Sequence, residues 1–160
     1  MVKFVVKLSA RLENIASLQP VDTAQDPFDY VFKISCVRCH EMHSKDISIN
    51  RGETMDLLDS RGVANFIFKC KFCGNDSHAS ILTNVVPYTL EDSTRPKPIL
   101  ELEARGLVIE EFVPNGYFQA KSAESQQVFE EVELDDEWYD VDENTLNEVS
   151  ITDIKWEVTR

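Results

Sequence analysis

The chain has 160 residues, 42% of them apolar, and a formal charge of −13. A chain of this length buries roughly two-thirds of its unfolded surface, so its core needs no covalent staples. Residues 1–105 carry 13 Lys/Arg against 14 Asp/Glu, whereas 106–160 carry 3 against 15, a surface that repels phosphate backbones and excludes nucleic acid as an expected partner.

The N-terminal "MVKFVVKLSARLEN" has charges every few residues and no long apolar core, so it reads as a strand and not as a signal peptide. No run approaches the roughly 20 apolar residues of a membrane span. An intracellular protein is expected, cytoplasmic and also nuclear, with reduced thiols. Period-two alternation then dominates. "VKFVVKLSARL" places Val2, Phe4, Val6, Leu8, Ala10 and Leu12 on one face. "YVFKISC" does the same with Tyr30, Phe32, Ile34 and Cys36, and "ANFIFKC" with Ala64, Phe66, Phe68 and Cys70. Near the end, "ITDIKWEV" aligns Ile154, Trp156 and Val158. Helical periodicity is confined to a turn or two at 54–58 and 137–147. The expected fold is mainly antiparallel β.

"LSARLENIASLQP" at 8–20 aligns without gaps on "LEARGLVIEEFVP" at 102–114, with five identities that include Arg11 on Arg105. Between these segments "TLEDSTRPKPI" has the composition of a linker. The predicted organisation is two similar sandwich- or barrel-like β units. These are an N-terminal unit at 1–92, which contains all four cysteines, and an acidic C-terminal unit at 99–160, joined by a linker at 93–98. A single β-sandwich is the competing arrangement.

All four cysteines fall in "CVRCH" and "CKFCG", a C-x2-C-x30-C-x2-C spacing. Each C-x2-C turn brings two thiolates to one side of a loop, and two facing loops offer the four sulfurs that tetrahedral Zn²⁺ prefers. Each pair ends a strand-like run, so two neighbouring strands would bring both loops to one edge. Gly74 supplies a residue tolerant of positive φ. Cys36, Cys39, Cys70 and Cys73 are therefore the predicted ligands of one Zn²⁺ per chain, in a zinc knuckle within the N-terminal half. Four-sulfur iron, Cu(I) and a redox dithiol fit the spacing as well. His40, His43 and His78 lie near the cysteines and could replace one ligand, although surface loop histidines explain them too.

No nucleophile elbow, phosphate loop or zincin motif appears, and the carboxylates between Asp135 and Glu143 lack the order of a calcium loop. No Lys or Arg lies between Ala123 and Glu148. Trp138 and Tyr139 in that stretch are either core residues or anchors for a basic partner.

"CVRCHE", "CKFCG", "LEARGLVIEEFVP" and the acidic "DDEWYDVDE", in this order, resemble the eukaryotic CXXC motif-containing zinc-binding protein family over essentially the whole chain. The resemblance implies a compact β-rich fold with two similar halves and zinc on the four cysteines. It implies no reaction. The expected function is that of a monomeric, non-enzymatic zinc-binding protein with a structural four-cysteine site, serving as an interaction module for a basic protein partner. The alternative is a metal-homeostasis protein that senses or transfers Zn²⁺ or Cu(I).

Overall fold

The computed structural model describes residues 1–57 and 61–160. The long first strand, β1 (Val2–Glu13), buries Phe4, Val6, Leu8, Ala10 and Leu12 and leaves the alternate positions out, as the period-two pattern requires. Val2, expected on the same face, lies at the sheet end and is exposed. Then follow β2 (Ile15–Pro20), β3 (Tyr30–Cys36), β4 (Ile47–Ile49), β5 (Met55–Asp56), β6 (Val63–Ala64), β7 (Phe66–Lys69) and β8 (Asp76–Ile81). After β9 (Tyr88–Thr89) and a 3-10 turn at Leu90–Asp92 come β10 (Lys97–Arg105) and β11 (Leu107–Val113). The chain ends with β12 (Phe118–Ser122), β13 (Val128–Val132), β14 (Trp138–Val141) and β15 (Glu148–Thr159). The fold is mainly β, with antiparallel pairing throughout the described residues. The helical turns expected at 54–58 and 137–147 are replaced by β5 and β14, whose residues gain more from cross-strand pairing than from an isolated turn; Leu58 lies outside the described residues.

A six-stranded sheet runs β14-β15-β1-β10-β8-β7. A three-stranded sheet (β11-β3-β4), a four-stranded sheet (β13-β12-β2-β9) and the small β5-β6 ribbon complete the molecule. Each of the three larger sheets takes strands from both sides of residues 93–98. That segment is itself held to β1: Thr94 N–H donates to the Ala10 carbonyl (2.7 Å) and Leu12 N–H to Ser93 Oγ (2.9 Å).

One cluster of buried side chains joins the sheets, with Phe4, Leu8, Ile15, Tyr30, Phe32, Leu102 and Phe118 among its members. Burying each such side chain contributes about 1.5–3 kcal/mol. Phe112 bridges sheets, lying 5.5 Å from Phe32 and 4.6 Å from Trp156 between ring centroids. Tyr88 is fully buried and serves as a polar pin. Its Oη accepts from Ala10 N–H (3.2 Å) and lies 2.6 and 2.7 Å from the carbonyl oxygens of Asp92 and Arg95. Asp22 is a second pin that composition does not reveal: it accepts from the Tyr30 hydroxyl (2.7 Å) and pairs with Arg51 (2.8 Å).

Candidate metal centre

Cys36 is the last residue of β3, and Cys70 directly follows β7. Beyond each, the chain turns back in the same way. In the first loop Cys36 N–H donates to the Glu41 carbonyl (3.0 Å) and His40 N–H to the Cys36 carbonyl (2.9 Å). In the second, Cys70 N–H donates to Asn75 O (2.9 Å) and Gly74 N–H to Cys70 O (2.9 Å). The closing residue has positive φ in both, 62° at His40 and 74° at Gly74. The sequence singled out Gly74 for this backbone state, but His40 adopts it without being glycine.

The two loops meet although β3 and β7 are not neighbours. β3 pairs with β11 and β7 with β8, and these belong to different sheets. The expectation of two adjacent strands is thereby corrected. The corner is Gly106, between β10, which pairs with β8, and β11, which pairs with β3. Its φ is +84°, and a Cβ here would stand 2.7 Å from Asp76 O and 2.9 Å from Ser77 Cβ. Its carbonyl accepts from Val37 N–H (3.1 Å) and Asn75 Nδ2 (3.2 Å), so one peptide oxygen holds both loops. Neither Gly106 nor Asn75 was apparent from the sequence. The signal was present in a glycine between two strand-like runs.

The four Sγ atoms lie within 4.8 Å of one another. Cys36 and Cys73 are 3.6 Å apart, as are Cys39 and Cys70. A tetrahedron with Zn–S bonds of about 2.3 Å has edges of about 3.8 Å, whereas a disulfide bond is about 2.05 Å long. The separations therefore fit a shared ion and exclude a bonded pair. Cys36 and Cys70 are buried, while Cys39 and Cys73 sit on the half-exposed side. Burial pushes the Cys36 thiol up, but the N–H groups of Cys39 and Arg38 outweigh it and bring Cys36 down to about 6. Cys70 is lowered by the N–H groups of Cys73 and Phe72. The Glu41 N–H lowers Cys39, but burial and the Cys70 thiol raise it further, to about 12. The loop amides thus favour the thiolate form at Cys36 and Cys70, whereas at Cys39 and Cys73 burial and the facing thiols outweigh the loop amide and raise the thiol.

The converging group contains the four cysteines and no histidine. His40 closes a turn, His43 packs edge-on against Phe68 (4.7 Å), and His78 pairs with Ile67 and Arg105 within the sheet. The cavity beside the cluster, lined by Cys36, His43, Phe68 and Cys70, measures about 10 Å³, room for one water molecule. The two aromatics of the acidic stretch part company. Trp138 packs against Phe129 (5.1 Å), whereas Tyr139 is 67% exposed. Arg11 and Arg105 are both exposed on their strands.

Among the described residues no helix is long and apolar enough to cross a membrane. The profile of the eukaryotic CXXC motif containing zinc binding protein family matches residues 5–159. UPF0587 protein C2D10.03c of Schizosaccharomyces pombe is 41% identical over 158 residues, covering 99% of this chain and 98% of its own. The human CXXC motif containing zinc binding protein is 34% identical over 154 residues, covering 95% and 94%. In three dimensions the chain is similar to the crystal structure of C1orf123, with a TM-score of 0.91 at 32% identity and 99% of both chains covered. A hypothetical protein from Plasmodium falciparum has the same fold, with a TM-score of 0.87 at 23% identity and coverage of 99% and 100%. With four cysteines positioned to hold a metal, the chain belongs to the eukaryotic CXXC motif containing zinc binding protein family.

Proposed function

We propose that this protein is a non-enzymatic, zinc-stabilised interaction module of the cytoplasm and nucleus, with one Zn²⁺ on Cys36, Cys39, Cys70 and Cys73 as a structural tie and a basic protein as partner. The observation that carries this reading is the contrast on β14. This strand forms the edge of the six-stranded sheet, and it turns Trp138 toward the core while leaving Tyr139 and Val141 exposed. These two residues lie in a stretch without any Lys or Arg from Ala123 to Glu148. An aromatic anchor on an open edge amid acidic side chains fits a basic segment that adds as a strand. A closed four-sulfur set and a cavity of about 10 Å³ support a tie and not a reaction centre.

The test uses the zinc-loaded full chain as bait, wild type against Tyr139→Ala, at low and high salt. A protein retained by wild type, weakened by salt and lost with Tyr139→Ala, supports the proposal; equal retention by both baits removes it. The half-exposed Cys39 and Cys73 favour a second reading, metal transfer, because an acceptor thiol could reach them. Zinc that leaves readily to a chelator while the fold survives would put that reading first.

A further inference from the structure

The acidic half holds a second pair of loops built like the metal loops. Strand registers establish the correspondence. Cys36, the last residue of β3, pairs with Leu107, the first of β11; Ser122, the last of β12, pairs with Ile15, the first of β2. The β7–β8 ladder pairs Phe66 with Ala79 and Lys69 with Asp76, and the β14–β15 ladder pairs Trp138 with Ile151 and Val141 with Glu148. The latter positions follow the former by a constant 72 residues. β8 and β15 are also the strands that flank the central β1–β10 pair. This places Ser122 and Ser125 where Cys36 and Cys39 stand, and Asp142 and Thr145 where Cys70 and Cys73 stand. The same registers set Asn14 (φ 56°) opposite Gly106 (φ 84°), an offset of 92 residues, whereas the ungapped alignment of 8–20 on 102–114 has an offset of 94, so its five identities do not fall on structurally equivalent positions.

Four of the six loop hydrogen bonds recur, while Asn147 Nδ2, which stands where Asn75 Nδ2 does, donates instead to Glu124 Oε2 (2.8 Å). Ser122 N–H donates to Gln127 O (3.0 Å) and Asp142 N–H to Asn147 O (2.9 Å), as Cys36 and Cys70 do to Glu41 and Asn75. Leu146 N–H donates to Asp142 O at a φ of 63°, in the manner of Gly74 and His40. Ala123 N–H reaches Asn14 O (2.9 Å) as Val37 N–H reaches Gly106 O. In the metal loops the N–H groups two and three residues on point at the leading sulfur. Here those of Glu124 and Ser125 point at Ser122 Oγ (3.1 and 3.3 Å), and those of Asn144 and Thr145 at Asp142 Oδ1 (2.8 and 3.2 Å).

At the centre, the fully buried Asp142 receives the Ser122 hydroxyl (2.5 Å) and the Ser125 hydroxyl (2.6 Å) on Oδ2. Two amides on one oxygen and two hydroxyls on the other saturate the carboxylate, which leaves no oxygen lone pair for a cation. We infer that Ser122, Ser125, Asp142 and Thr145 are a second set of knuckle positions, clasped by the Asp142 carboxylate in place of a metal ion. One half of the molecule is then closed by metal and the other by hydrogen bonds, so loss of zinc opens only the first.

The first experiment restores the sulfurs in the full chain with Ser122→Cys, Ser125→Cys, Asp142→Cys and Thr145→Cys together. Native mass spectrometry with Co²⁺ or Zn²⁺ is expected to find one more tightly held ion per chain than in wild type, with added thiolate-to-cobalt absorption. A variant with the wild-type far-UV spectrum and no additional ion overturns the assignment. The second experiment needs no variant and covers the case in which this one fails to fold. Amide exchange of wild type is followed before and after a chelator. Cys36, Cys70 and Gly74 are expected to exchange at least tenfold faster, and Ser122, Asp142 and Leu146 at an unchanged rate; loss of protection in both sets together overturns the inference.

Discussion

Replacing Gly106 by Ala tests whether the corner beneath the metal centre holds both loops. A residue with a Cβ pays about 1–2 kcal/mol for the left-handed backbone that Gly106 adopts at φ +84°. The new methyl would meet Asp76 O at 2.7 Å and Ser77 Cβ at 2.9 Å, and the first of these is backbone within a ladder. Overpacking of this kind costs about 1–3 kcal/mol. Restricting the unfolded chain returns up to about 1 kcal/mol. The net loss is about 1–5 kcal/mol, and with a urea slope of about 2 kcal/mol/M the midpoint should fall by about 0.5–2.5 M. Gly74→Ala is the control. Its φ of +74° carries the same backbone penalty, but the nearest atom to the added methyl is Lys69 Cε at 3.8 Å. Its loss should stay near 1 kcal/mol, the conformational part alone. Urea titrations of the zinc-loaded proteins, followed by Trp fluorescence, measure both. Equal shifts for the two variants, or a Gly106→Ala shift below about 0.5 M, would refute the steric argument.

Three further outcomes follow. Tyr88→Phe leaves the Ala10 amide without its buried partner and should lower stability by about 1–3 kcal/mol; an unchanged urea midpoint would show that the hydroxyl is not a pin. Cys70→Ser, made in the full chain, should abolish metal retention after dialysis, as read by metal analysis; full zinc content in this variant would remove the four-sulfur site. The Ser122 and Ser125 hydroxyls hold the Asp142 carboxyl down from 3.8 to about 2. A carboxyl lowered in the folded state contributes stability above its unfolded value and loses it as pH falls through its folded value. The stability difference between wild type and Asp142→Asn should therefore be constant near neutrality and shrink between pH 3.8 and about 2; a difference independent of pH in that window would contradict a charged clasp.

Local chemistry made much of this protein readable. Alternation along β1 and β3 identified Phe4, Val6, Leu8, Tyr30, Phe32 and Ile34 as core residues, because a strand's period of two leaves a half-buried segment no other pattern. The spacing of Cys36, Cys39, Cys70 and Cys73 identified the four convergent sulfurs for a similar reason, since two short facing thiolate loops supply the tetrahedral donor set that a metal ion such as Zn²⁺ prefers. His40, His43 and His78 lie as close in sequence, and only the loop geometry showed that a turn, a ring contact and a ladder occupy them.

What the sequence by itself determined was therefore a β protein with four convergent cysteines. Which strands neighbour one another was decided by the tertiary structure, because ladder partners such as β1 and β15, or Cys36 and Leu107, are set by which faces find a common core and not by anything written in either strand. The corner at Gly106 and the clasp at Asp142 belong to the same category. An aspartate in an acidic run carries no distinguishing local signal, and a glycine between two strand-like runs marks a turn without showing what that turn holds. Each acquires its role only when segments distant in the chain close around it.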